Sequence, residues 1–230
     1  MTQPFFICGT GRNGSLSIAQ FLSAQPDMRC LHEGGDAASF SRHRLKQALH
    51  LAPVFKWEGE WDRYRDYYTQ QRARRPEHYL GDVGMYMLGY VPQLARAFPN
   101  ARFLSIRRSK DQVVRSYLHR SLDLRADATR YDLVRKIWDA CYPRYRVKTM
   151  KEALELYWDD YYARSEALER ELDGRFKIFE TQNLNSATGR HQILDFIGYP
   201  KTGRVDFTVH TNKESPLFTR WNELIKFIRE

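Results

Sequence analysis

Four apolar residues, Phe5-Phe6-Ile7-Cys8, run straight into Gly9-Thr10-Gly11-Arg12-Asn13-Gly14-Ser15, and Leu16, Ile18, Ala19, Phe21 and Leu22 then recur at helical spacing as far as Pro26. A short unbroken apolar run suits a strand covered on both faces, as in a parallel sheet. The glycine-rich turn that follows lets successive backbone N–H groups converge on an anion at a helix N-terminus. Strand, loop and helix in this order imply an α/β chain with an anion site at the end of its first strand. Further strands are expected at Met28–His32, Tyr79–Val83, Arg102–Ile106 and Phe176–Glu180, with helical stretches between them, which gives a parallel, doubly wound sheet of about four to five strands. The second strand is expected beside the first. Over 150–173 the positions Leu154, Trp158, Tyr161, Leu168 and Leu172 share one helical face, and Gly174 is placed to end that helix in a left-handed conformation. Trp57, Trp61, Tyr64 and Tyr68 also share a face; a core wall is expected there rather than the lining of an acceptor pocket. At 230 residues without repeat or linker, one domain over 1–230 is expected.

The loop has the length of the nucleotide-binding pattern G-x-x-x-x-G-K-[ST], but Ser15 stands at the lysine position and Leu16 at the hydroxyl position. It can hold a phosphate, yet it lacks the lysine that reaches a γ-phosphate and the adjacent hydroxyl that binds magnesium. Arg12 can supply a cation instead. A second anion grip is expected where the strand ending at Ile106 meets Arg107-Arg108-Ser109-Lys110-Asp111-Gln112, because Ser109 and Gln112 have the spacing of a capping box and start a helix. Val113, Val114 and Tyr117 are its expected buried positions. Arg108 and Ser116 could then bracket one phosphate, with Arg107 as the alternative arginine. Acid–base chemistry is expected from His32-Glu33, which end the second strand. Asp82 reads as structural or acceptor-facing, since a magnesium site would need partners the loop does not offer.

The 37 Lys and Arg against 28 Asp and Glu give a net charge of +9, a field that attracts anions without choosing among them. The arginines are scattered through helical stretches and no finger motif is present, so no nucleic-acid partner is expected. Cys8, Cys30 and Cys141 show no metal-ligand spacing, so no metal is expected, and a reducing, cytoplasmic setting fits. No run of apolar residues is long enough to span a membrane.

The segments GTGRNGSLSIAQFL and FPNARFLSIRRSKDQVVRSY together resemble the P-loop sulfotransferase superfamily, in particular its compact bacterial members. The resemblance is clear over roughly 5–35 and 79–120. It implies a P-loop-like three-layer sandwich and 3'-phosphoadenosine 5'-phosphosulfate (PAPS) as sulfuryl donor. The acceptor would be a hydroxyl on a small molecule, a carbohydrate among them. On this likeness Gly11, Arg12, Asn13, Gly14, Ser15, Leu16 and Ser17 hold the phosphosulfate, while Arg108 (or Arg107) with Ser116 holds the 3'-phosphate. Lys213, in the phrase His210-Thr211-Asn212-Lys213, closes over the nucleotide. Glu33 is the expected base, with His32 orienting or replacing it, and Arg12 stands where the family has a catalytic lysine. Two other functions use the same loop: a small-molecule kinase, and a non-catalytic binder of phosphorylated or sulfated ligands.

Overall fold

A computed structural model describes residues 2–36, 60–120 and 143–206. Lys213, His210, Trp57 and Cys141 lie outside the described residues. In chain order the elements are β1 (Gln3–Cys8), α1 (Ser15–Ser23), β2 (Met28–His32), β3 (Gly35–Asp36), α2 (Trp61–Arg74), β4 (Tyr79–Val83), α3 (Met87–Ala97), β5 (Arg102–Arg107), α4 (Lys110–Arg120), α5 (Met150–Glu171), β6 (Phe176–Glu180) and α6 (Ala187–Ile197). The strands form one sheet in the order β3-β2-β4-β1-β5-β6. All pairs are parallel except β2 with β3.

The five expected strands and the parallel α/β sheet flanked by helices are present. Two details differ. A sixth strand, β3, pairs through only Leu31 with Asp36 and His32 with Gly35, too short to show a periodicity in sequence. And β2 does not lie beside β1, because β4 pairs with both and separates them. Burial explains the insertion. Leu80, Gly81, Asp82 and Val83 are all buried, so β4 takes an interior place, while β3 covers the outer edge of β2. Gly81 permits the close pairing, since a Cβ there would fall 2.0 Å from the Phe5 ring.

Alternation along β1 divides the core. Phe6 and Cys8 face a cluster with Tyr64 and Tyr68 of α2, Tyr90 of α3 and Tyr157, Tyr161 and Tyr162 of α5. Phe5 and Ile7 face a second cluster with Ile18 and Leu22 of α1 and Ile193 and Leu194 of α6. Each side chain of this size stabilises the fold by about 1.5–3 kcal/mol when fully buried. Tyr64 and Tyr68 are therefore core, as expected; Trp61 packs against the same cluster. The parallel strands aim their carboxyl ends at one edge, where open α/β sheets place ligands. None of the described helices is long and apolar enough to cross a membrane.

Candidate active site

The loop between β1 and α1 is tied down from behind by tyrosine hydroxyls. Tyr161 Oη accepts from the Gly9 N–H at 2.7 Å and donates to the Met85 carbonyl at 3.1 Å. Tyr117 Oη and Tyr157 Oη both donate to the Thr10 carbonyl, at 2.5 and 3.1 Å. Asn13, buried, donates through Nδ2 to the Ile106 carbonyl at 2.7 Å, and Thr181 Oγ1 donates to the Asn13 carbonyl at 3.0 Å. These bonds engage the loop carbonyls from within the fold. No side chain caps α1 and no acid stands in its first turn. Gly11 and Gly14 adopt φ of 77° and 91°, and a Cβ on Gly11 would fall 2.5 Å from Tyr117 Oη, so the turn needs glycine there. The periodicity of α5 put Tyr161 on a buried face, but nothing in the sequence told where its hydroxyl would go.

On the β5 flank of the loop, three expected residues come together. Arg108 Nη1 donates to the Arg12 carbonyl at 2.9 Å, and Arg12 Nε donates to Ser116 Oγ at 3.2 Å. Gln112, expected to turn back on the helix cap, instead accepts from Arg108 Nε at 3.1 Å and helps to aim it. The capping box with both reciprocal bonds is at α5, between Thr149 and Glu152. Trp158 Nε1 fixes the Arg108 backbone by donating to its carbonyl at 2.8 Å. Arg107 points elsewhere, pairing with Glu180 at 2.7 Å and Glu166 at 3.1 Å. Alternation along an extended segment sends neighbouring residues to opposite sides, which separates the two arginines.

On the other flank, Ser15 Oγ lies 3.1 Å from His32 Nε2, so β2 reaches the loop across the intervening β4. Glu33 and Gly34 form the two-residue turn between β2 and β3, with φ of 52° and 74°. Such turns favour Asn, Asp or Gly at the first position. A glutamate there costs on the order of 1–2 kcal/mol in backbone strain. Among the described non-glycine residues the left-handed region is occupied by Arg12, within the loop, and by Asp27 and Glu33. Below the turn lies Asp82, fully buried, with Oδ1 accepting from the Gly34 N–H at 3.2 Å and Oδ2 accepting from Tyr64 Oη at 3.2 Å. Desolvation pushes its carboxyl up to about 7, and the nearby Glu33 charge adds to the rise, against the lowering effect of those hydrogen bonds. Asp82 is structural in the sense expected, but its partner is the backbone of the candidate base. Leu16 and Ser17 continue the loop into α1.

The site can thus hold an anion on the loop, present two guanidinium groups and a hydroxyl on one flank, and offer a histidine and a carboxylate on the other. A sequence model of the sulfotransferase family matches residues 4–172. No curated protein sequence matches the chain. Among solved structures, the sulfotransferase from Alicyclobacillus acidocaldarius superposes with a TM-score of 0.58 at 18% identity, covering 99% of this chain and 91% of that one. That likeness shows the fold. Sulfotransferase STF1 of Mycobacterium tuberculosis H37Rv gives a TM-score of 0.49 at 12% identity, covering 87% of this chain and 68% of that one.

Proposed function

The chain belongs to the sulfotransferase family, and from that premise we propose that it transfers the sulfuryl group of PAPS to an acceptor hydroxyl on a carbohydrate or another small molecule. The observation that carries this reading is the meeting of Arg12, Arg108 and Ser116 on one flank of the loop with His32 and Glu33 on the other. The uncapped start of α1, the two glycines in left-handed conformation and the two arginines fit a ligand with an anionic group at each end. The loop amides of Gly11 to Ser17 hold the phosphosulfate end; Arg108 and Ser116 hold the 3'-phosphate. Arg107 is committed to Glu180 and Glu166, which favours Arg108 in this role.

Transfer forms a bond from the acceptor oxygen to sulfur and breaks the bond from sulfur to the bridging phosphate oxygen, leaving 3'-phosphoadenosine 5'-phosphate. Arg12 stabilises the charge that grows on that bridging oxygen, an interaction stronger in the transition state than before it. Glu33 takes the proton of the acceptor hydroxyl. The engagement of His32 with Ser15 supports an orienting role for His32 and leaves the base role to Glu33. Lys213 is proposed as an additional phosphate contact on the family resemblance.

The test is thermal. The product nucleotide should raise Tm in the absence of added metal, and EDTA should leave the shift unchanged. A shift that needs magnesium, or an equal shift with ATP, would overturn the two-ended grip. Radiolabelled PAPS offered with a panel of sugars, phenols and peptides then reads out transfer and names the acceptor class.

A further inference from the structure

We propose that Asp82 is a positioning residue, holding the strained Glu33–Gly34 turn so that Glu33 is presented at the end of β2 beside the phosphate loop. The proposal rests on the reading of Glu33 as base and adds a residue that acts through it. The turn is gripped at three backbone points. The Glu33 N–H donates to the Val83 carbonyl at 2.8 Å, the Gly34 N–H donates to Asp82 Oδ1 at 3.2 Å, and Tyr67 Oη donates to the Gly34 carbonyl. Two of these three grips come from consecutive residues of β4, the strand inserted between β1 and β2. The same strand that sets the distance between loop and base therefore also sets the conformation of the base's turn.

The nature of the group at position 82 is the second argument. Among the described residues, the groups facing Asp82 are Cys30 from β2, Glu33 from the turn, Tyr64, Tyr67 and Tyr68 from α2, and Tyr86 at the start of α3. No cation is among them. A carboxylate buried among these phenols is an expensive way to hold a turn, since a neutral asparagine could accept from the same amide. What the carboxylate adds is charge next to Glu33. Above about pH 7, where Asp82 is ionised, the two anions repel, so a proton arriving on Glu33 from the acceptor hydroxyl relieves that repulsion, and Asp82 strengthens the base without touching substrate.

The experiment compares Asp82→Asn, Glu33→Gln and the double variant in the PAPS transfer assay, with the best acceptor of the panel, alongside product-nucleotide binding. Asp82→Asn is expected to keep nucleotide affinity and donor KM within about twofold, to lower kcat by about tenfold or more above about pH 7, where Asp82 is ionised, and to leave kcat close to wild type at lower pH. The double variant should be no slower than Glu33→Gln alone, because Asp82 acts through Glu33. A wild-type kcat and pH profile in Asp82→Asn, or losses that multiply in the double variant, overturn the proposal. If Glu33→Gln itself turns over at the wild-type rate, the base assignment fails and this proposal falls with it. An inactive Glu33→Gln beside an unaltered Asp82→Asn condemns Asp82 alone. Should Asp82→Asn not fold, Tyr67→Phe loosens the same turn from its carbonyl side; unchanged kcat in that variant also counts against the clamp.

Discussion

The two flanks of the phosphate loop solve opposite electrostatic problems. Toward β5, Arg12 and Arg108 are half-buried cations whose forks reach a serine, a glutamine and a backbone carbonyl. Toward β2 and β4, Glu33 and Asp82 are neighbouring carboxyl groups, and Asp82 is set against a wall of tyrosines. The first flank costs little in the free protein because it is still partly solvated. The second carries its cost permanently, in desolvation and in a left-handed glutamate. On the proposed assignments, the contrast teaches that donor binding and proton transfer are built separately, so variants should be able to lose one and keep the other.

The sharpest break of that symmetry is Glu33→Gln, which should lower turnover by roughly 100-fold or more while product-nucleotide affinity stays near wild type. Steady-state kinetics beside calorimetric binding decide it; full activity in Glu33→Gln with none in His32→Ala moves the base to His32. On the opposite flank, Arg108→Ala should weaken nucleotide binding by about 1–3 kcal/mol, the scale of charge-assisted hydrogen bonds, with kcat at saturation affected less. An unchanged Kd would remove Arg108 from the grip.

The permanent cost on the base flank has its own signature. Asp82 titrates near 7 when folded and near the ordinary value of about 3.9 when unfolded, so the folded chain keeps a proton that the unfolded chain releases between those values. Stability should therefore fall as pH rises from about 4 to 7 and level off above, and Asp82→Asn should flatten that part of the curve. Urea midpoints at pH 5 and pH 8 for both proteins measure it. Equal slopes would mean that Asp82 does not hold its proton in the native state. The smallest effect belongs to Arg107→Ala. Its partly exposed pairs with Glu180 and Glu166 contribute about 0–1 kcal/mol to stability, and nucleotide affinity should be unchanged within twofold. A loss larger than that of Arg108→Ala would reverse the assignment of the two arginines.

What was legible in the sequence was local. The strand-loop-helix opening announced an anion site because a glycine turn and a following helix are set by neighbouring residues, and φ of 77° and 91° at Gly11 and Gly14 is what glycines in such a turn permit. The spacing from Arg108 to Ser116 survived because one helix start carries both. The capping role of Gln112 did not survive, since Arg108, drawn to the loop carbonyl, offered it a stronger partner.

The sequence by itself determined the family, the five parallel strands and the two strand-to-helix junctions proposed as anion grips, since each depends on contacts within one strand, turn or helix. Only the tertiary structure decided that β4 lies between β1 and β2, that Tyr117, Tyr157 and Tyr161 hold the loop from behind, and that Asp82 lies beneath Glu33. The physical reason is that strand order and the destination of a buried hydroxyl follow from which surfaces must leave water together. That is a property of the whole sheet with its helices, and no stretch of chain carries it alone.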